Sequence, residues 1–247
     1  MLIFVRGSMR PPWVLVALLA AGCADTPDRE EEVRQEASSW IELFNGRDLA
    51  GWTPKIRGEA FGEDRRRTFR VEDGLLTVSY DAYDETEGFA DTFGHLFFEE
   101  PLESYELVVE YRFVGRQFEG GPGWARSNSG VMFHAQVPGT MGVDQDFPIS
   151  LEAQFLGGEP GEVRPTANLC TPGTHVEMSG DLVTAHCVNA EAPTVPDSTW
   201  VTVTIVAHAD GSVRHLVDGD TVIAYEGPVV GGRSEEHTSE LQSPCNL

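Results

Sequence analysis

Near the middle of the chain, two segments alternate residue by residue between apolar and polar side chains. Asn128-Ser-Gly-Val-Met-Phe-His134 sends Val131 and Phe133 one way and Asn128, Met132 and His134 the other. Ser150-Leu-Glu-Ala-Gln-Phe155 groups Leu151, Ala153 and Phe155 on one face and leaves Glu152 and Gln154 on the opposite one. A period of two marks a half-buried β-strand. Strand patterns also cover Trp40–Phe44, Thr68–Glu72, Leu75–Tyr80, His95–Phe98, Tyr105–Phe113, Trp200–His208, Val213–Val217 and Thr221–Tyr225. Asn45-Gly46, Asp73-Gly74, Asp210-Gly211 and Asp218-Gly219 supply turn signals, and the last two bracket one short strand, which predicts two successive hairpins. No stretch of the domain sustains a helical period. Many short strands with Gly- and Pro-rich connections predict an all-β fold, an antiparallel β-sandwich or jelly roll. Residues 115–128 and 157–173 are expected to be long loops, and loops of that length in a compact domain are usually functional or disordered.

The two ends depart from this pattern. Arg6 and Arg10 precede an apolar run, Trp13 to Gly22, that is too short to span a bilayer. It closes as Leu19-Ala-Ala-Gly-Cys23, which resembles the bacterial lipobox. Residues 1–23 are therefore expected to be a lipoprotein signal peptide with Cys23 as the lipidated residue, and the acidic, polar residues 24–39 a linker. The domain is expected over 40–232. Residues 233–247 lack apolar periodicity, and Arg233-Ser-Glu-Glu-His-Thr-Ser-Glu-Leu-Gln-Ser243 resembles the translation of a sequencing-adapter oligonucleotide, so they are read as an artefactual tail that replaces the last strands. With Cys23 and Cys245 set aside, Cys170 and Cys187 form an even pair in an exported domain, and a disulfide is expected. Its closed loop would contribute roughly 3 kcal/mol on the chain-entropy account.

Charge narrows the partners. Forty acidic against seventeen basic residues give a formal net charge of −23. That balance repels phosphate backbones and anionic lipid surfaces, which excludes nucleic acid and leaves the membrane to the N-terminal lipid anchor. A small neutral carbohydrate fits better. The polar faces of the two central segments carry a carboxylate, an imidazole and two amides, and sugar hydroxyls need both donors and acceptors. The 115–128 loop delivers Trp124, Arg126 and Asn128 to the Gly130 strand, where they would form a sugar platform, with a simple packing role for Trp124 as the alternative. A conventional glycosidase needs two carboxylates flanking the scissile bond. Glu110, from a neighbouring strand, is the candidate partner for Glu152, the alternative being a solvated residue paired with Arg112 or with another strand. His95, His175, His186 and His208 are expected to be structural or surface residues. No cofactor is predicted. A divalent metal held by Glu152, His134 and a third residue stays open, although no His-x-His or His-Glu-x-x-His spacing supports one.

Several motifs in order resemble the 3-keto-disaccharide hydrolase family, a former domain of unknown function. Leu43-Phe-Asn-Gly-Arg-Asp-Leu-Ala-Gly-Trp52 meets the family's "LFNGKDLxGW" opening, and Gly74-Leu-Leu-Thr-Val78 its "GxLxV" strand. Asn128 to His134 corresponds to "NSGIxxR", with histidine where arginine is common, and Ser150 to Leu156 to "YExQIxD" without the tyrosine and aspartate. Trp200 and His215-Leu-Val-Asp-Gly-Asp-Thr-Val222 match the ending. The resemblance implies a concanavalin-like jelly roll.

It also implies cleavage of glycosides already oxidised to a ketone at sugar C3. The ketone acidifies the C2 hydrogen, a general base removes it, the anomeric group leaves, and water adds to the unsaturated sugar. Glu152 or His134 is the expected base, with Asn128, Gln154 and His215 as orienting or oxyanion-stabilising groups. The same fold serves non-catalytic carbohydrate-binding lipoproteins of lectin type, which is the alternative, and a purely structural adhesion lipoprotein is a third. On any of these readings the location is the bacterial cell envelope, lipid-anchored and facing the periplasm or the outer membrane.

Overall fold

The computed structural model describes residues 2–4 and 40–231. In chain order its strands are β1 (Leu2–Phe4), β2 (Trp52–Ile56), β3 (Phe69–Glu72), β4 (Leu75–Val78), β5 (Gly94–Phe98), β6 (Tyr105–Arg112), β7 (Asn128–Phe133) and β8 (Leu151–Gly158). There follow β9 (Asn168–Cys170), β10 (Thr174–Met178), β11 (Asp181–Val183), β12 (Cys187–Val188), β13 (Val195–Pro196), β14 (Val201–Ala207), β15 (Val213–Val217) and β16 (Asp220–Val230). The only helical elements among the described residues are short 3-10 turns at Gly123–Ala125 and Pro138–Thr140. The fold is thus the expected antiparallel β-sandwich. Of the expectations at the two ends, Cys23, residues 24–39 and the tail from 233 lie outside the described residues. Within 1–23 only the backbone of Leu2–Phe4 is described, pairing with both β4 and β6.

Nine strands form one sheet in the order β11-β10-β16-β15-β14-β6-β1-β4-β3. The second sheet centres on β8, which pairs with β7 on one side and with β9, continued by β12, on the other. The short β13 joins its far end in parallel. Strands β2 and β5 make a separate two-stranded ribbon. Consecutive hairpins join β14, β15 and β16 as predicted. Asp218 and Gly219 both take positive φ, 49° and 94°, as do Asp73 and Gly74 at 51° and 79°, the signature of turns whose twist matches the flanking strands.

The core lies between the two sheets. From the large sheet come Leu107, Val109 and Tyr111 of β6 with Val201, Val203 and Ile205 of β14; β8 answers with Leu151, Ala153 and Phe155. Tyr111 and Phe155 stack face to face across the sandwich, centroids 4.4 Å apart and planes 2° from parallel. The Tyr111 hydroxyl is satisfied by Thr166 Oγ1 at 2.5 Å.

Two expectations are corrected here. Trp40–Phe44 is not a strand: Leu43 and Phe44 enter the core from irregular backbone. That backbone is shaped by the Asn45 side chain, which accepts from the amides of Arg47 and Asp48 and turns the chain away. The strand lies further on at Trp52–Ile56, where Pro54 is tolerated because β2 pairs only with β5. The 157–173 segment is not wholly a loop, since it contains β9, whose three residues are all buried.

His215 is also corrected. It is fully buried in the core on β15, with Nδ1 2.9 Å from the Ala167 carbonyl and Nε2 2.8 Å from the Tyr225 hydroxyl. A carbonyl only accepts, so Nδ1 carries the proton and Nε2 accepts from Tyr225. Burial holds its pKa down at about 4. The ring is a neutral, fully committed structural group. Replacing Tyr225 with Phe strips that nitrogen of its donor and should lower stability by about 1–3 kcal/mol in urea unfolding.

Candidate active site

Strand alternation decides what β8 presents outside the core. Glu152 and Gln154 point away from Leu151, Ala153 and Phe155 and form the floor of a cavity of about 760 Å³. Its aromatic wall includes Tyr80, Phe89, Phe93, Trp124 and Phe147; Asn128, Ser129, Arg126, Glu162, Arg164, His95 and His186 add polar groups. That combination of volume, apolar wall and few placed polar groups is typical of a small-molecule site.

Glu152 sits in the middle of three strands, opposite Met132 on β7 and Cys170 on β9. Cys170 is disulfide-bonded to Cys187, as the sequence predicted, and both sulfur-bearing residues line the cavity. Glu152 is half-buried, with its side chain reaching the cavity. Burial alone pushes its pKa from near 4.5 up to about 8, with no hydrogen bond or ion pair to it among the described residues. One strand over, Gly130 leaves the space that the carboxylate fills. A Cβ at position 130 would stand 2.6 Å from Glu152 Oε1 and 2.8 Å from the Ala153 carbonyl.

Gln154 lies between Gly130 and Asn168. Asn168 donates from Nδ2 to Gln154 Oε1 at 3.2 Å and to the Pro165 carbonyl, while its own Oδ1 accepts from the Ala190 amide. With its oxygen occupied, Gln154 is left to offer its NH₂ to the cavity. Asn128, at the start of β7, donates from Nδ2 to the Trp124 carbonyl at 3.1 Å.

The 115–128 loop supplies the rim. Trp124 is 55% exposed and stacks on Phe93, centroids 5.4 Å apart and planes 19° from parallel. Arg126 is spoken for: Nη2 reaches both carboxylate oxygens of Glu162 at 2.9 and 2.7 Å, which raises its pKa. Arg164 was not anticipated. Its guanidinium donates to the carbonyls of Trp124, Arg126, Ser127 and Gly157, and so staples the loop to the end of β8. A second unanticipated anchor is the buried Lys55, which donates to the carbonyls of Ile56 and Val143. Arg57 pairs with Asp146 at 2.9 Å and His95 Nε2 donates to the Asp146 carbonyl at 2.7 Å. Together they hold the segment that brings Phe147 to the wall. His95 is kept neutral, its pKa lowered to about 4 chiefly by burial.

Of the residues singled out from sequence, Asn128, Trp124, Arg126, Glu152 and Gln154 come together on this cavity. His134, Glu110 and His215 do not. β7 ends at Phe133, and His134 adopts φ +46°, which breaks the alternation that would have set it beside Met132. Its ring lies against Tyr105 and Phe133 instead. Glu110 alternates with the core residues Val109 and Tyr111 and so faces outward from the large sheet. Among the described residues no cluster of three or more His, Cys, Asp or Glu side chains is placed to hold a metal ion.

The class of protein is thus a two-sheet antiparallel sandwich with a polar-floored, aromatic-walled cavity of small-molecule size. Residues 39–243 match the 3-keto-alpha-glucoside-1,2-lyase-like domain, and the chain belongs to that family. A crystal structure of a "putative glycosyl hydrolase" from Parabacteroides distasonis is similar over 90% of this chain and 91% of that one, at 17% identity and a TM-score of 0.47. No curated protein matches.

Two predictions follow from the floor of the cavity. Gly130→Ala should leave the fold intact but force Glu152 from its position, lowering stability by about 1–3 kcal/mol in urea unfolding. The second concerns pH. His95 and His215, with pKa values lowered from 6.5, favour the native state above pH 6.5, and that contribution is lost as pH falls towards 4. Glu152, raised from 4.5, works in the opposite sense, and its contribution is lost as pH rises from 4.5 to 8. Stability should therefore peak near pH 6.5 and decline towards pH 8, and Glu152→Gln should abolish that decline; urea midpoints across this range at constant ionic strength check it.

Proposed function

We propose that the protein cleaves 3-keto-glycosides by proton abstraction and elimination, with Glu152 as the base. The observation that carries this reading is a half-buried carboxylate, without a hydrogen bond or ion pair among the described residues, on the floor of a sugar-sized cavity in a chain of the 3-keto-alpha-glucoside-1,2-lyase-like family. A base works best with a pKa near the working pH, and a carboxylate stripped of water is a stronger base than one in solution. Of the two sequence candidates, Glu152 is preferred over His134 because the imidazole lies off the cavity.

The Glu152 carboxylate takes the C2 proton, and the electron pair of the broken C–H bond moves into the C3 carbonyl to form an enolate. The Gln154 NH₂ is a donor for that oxygen, assisted by groups on the rim. Collapse of the enolate forms the C1–C2 double bond and expels the anomeric oxygen, which collects a proton. Water then adds across the double bond to give the free 3-keto sugar. Trp124 provides an apolar face for the ring or its leaving group. The substrate is a small carbohydrate, acted on at a bacterial cell envelope to which a lipidated Cys23 tethers the domain.

Incubation with a 3-keto-glucoside, with and without chelator, should release the aglycone. The rate, as kcat/KM, should rise with pH and level off near pH 8 as Glu152 ionises. Glu152→Gln should reduce kcat by at least about 10³-fold while the folded spectrum is retained. Saturable sugar binding without product would favour the lectin reading, and full turnover by the Gln variant would remove Glu152 from the mechanism.

A further inference from the structure

We infer that the leaving group of the substrate is aromatic, and that it is seated at the aromatic end of the cavity, where a second, smaller hollow adjoins it. The inference rests on the 3-keto-glycoside reading above and names the class of glycoside for that same site.

The hollow has a volume of about 90 Å³. Tyr80, Phe89, Ala125 and Asn128 border both it and the cavity, while Phe113 and Phe118 border the hollow alone. Its rings pack on one another. Phe118 lies 5.8 Å from Tyr80 and from Tyr83, and Phe89 lies 6.0 Å from Tyr80, all between ring centroids. From Phe89 the aromatic surface continues along the cavity wall through Phe93, 5.1 Å away, to Trp124 and Phe147. The strand register fixes where this end stands relative to Glu152. Gln154 and then Leu156 follow Glu152 on the cavity face of β8, and Leu156 is opposite Asn128 of β7. Asn128 is therefore roughly 13 Å further along the sheet than the row that holds Glu152. With the reacting sugar over Glu152 and Gln154, the aromatic end lies one group further on.

The chemistry of that end selects the group. A second sugar would bring several hydroxyls, each needing a donor or an acceptor, and unmet hydroxyls cost affinity. The polar side chains along the aromatic end donate to the protein itself. Thr92 Oγ1 donates to the Phe89 carbonyl at 2.7 Å and Gln117 Nε2 to the Pro122 carbonyl at 2.7 Å. Ser127 Oγ donates to Asp197 Oδ2 at 2.9 Å, and Asn128 Nδ2 to the Trp124 carbonyl at 3.1 Å. Arg126 is held by Glu162. Arg116 is exposed on the border of the hollow, and a guanidinium stacks well on an aromatic face. Asn128 Oδ1 and the Tyr80 hydroxyl still face a ligand's needs, an inventory that falls short of a hexose. It suits a phenyl or benzyl group, which asks for a wall of rings and few hydrogen bonds.

The test gives the whole chain the 3-keto forms of methyl α-glucoside, benzyl α-glucoside and maltose. Each expels an alkoxide, so their rates report the contacts of the leaving group more than its acidity. The benzyl substrate should show kcat/KM at least roughly tenfold above the methyl substrate and above 3-keto-maltose. Phe118→Ala removes a ring of the hollow and Ala125→Leu fills it. Each should cut the benzyl advantage by at least about fivefold and leave the methyl substrate within about twofold. Binding supplies a readout without turnover: unoxidised benzyl α-glucoside should bind at least roughly tenfold more tightly than methyl α-glucoside in calorimetry. Equal values for benzyl and methyl, or a preference for 3-keto-maltose, overturn the inference. So does a benzyl advantage untouched by both variants while their near-ultraviolet spectra stay native. Should a variant unfold, the three substrates on the unaltered protein decide alone. Failure of the 3-keto-glycoside reading would show separately, as no turnover of any of the three while the benzyl preference in binding persists.

Discussion

The phase of β8 is the constraint on which the rest depends. Phe155 stacks flat on Tyr111 across the sandwich, and Leu151 and Ala153 fill the core beside it. Because strand side chains alternate with a period of two, a slip of one residue would drive Glu152 and Gln154 into that core and expose its apolar set. Burying an unpaired carboxylate between two hydrophobic sheets would cost far more than any slipped register could return. The aromatic stack and its neighbours therefore settle, from inside the core, which side chains floor the cavity outside it.

The cavity then treats its polar groups unequally. Arg126 is neutralised by Glu162, Arg164 is consumed by four backbone carbonyls, and the oxygen of Gln154 is tied to Asn168. Glu152 is left half-buried with no compensating hydrogen bond or ion pair among the described residues, between a methionine, a glycine and a disulfide. That arrangement works against stability near neutral pH, and strained or unfavourable groups of this kind persist at functional sites because the surrounding fold holds them. The basic side chains of the rim act as scaffolding: Arg164 fixes the loop carrying Trp124, while Lys55 and His95 fix the segment carrying Phe147.

Much of this was legible in local pattern. The alternation of β7 and β8 identified Glu152, Gln154 and Asn128, the hairpin turns at Asp73-Gly74 and Asp218-Gly219 needed only their positive φ, and the two remaining cysteines paired as expected. The misreadings have physical causes. Nothing in the residue type announces that His134 takes φ +46° and leaves the strand. His215 alternates onto the core face, where a neutral imidazole is tolerable only because Ala167 and Tyr225, distant in sequence, meet both nitrogens. Trp52–Ile56 was obscured by Pro54, which an edge pairing accommodates. Arg164 and Lys55 carry no signal of their role, since each reaches carbonyls distant in sequence as well as a near one.

The sequence by itself determined the all-β architecture, the face on which each residue of a regular strand would lie, and the carboxylate and amides that would share one of those faces. These are consequences of a two-residue period and of turn chemistry, both local. Only the tertiary structure decided which imidazoles would be spent in the core, which arginines would be bound to the chain itself, and what would surround Glu152. A group's proton affinity is set by everything around it, and the surroundings of Glu152 come from β7, β9 and β12, which meet only when the sheet is formed.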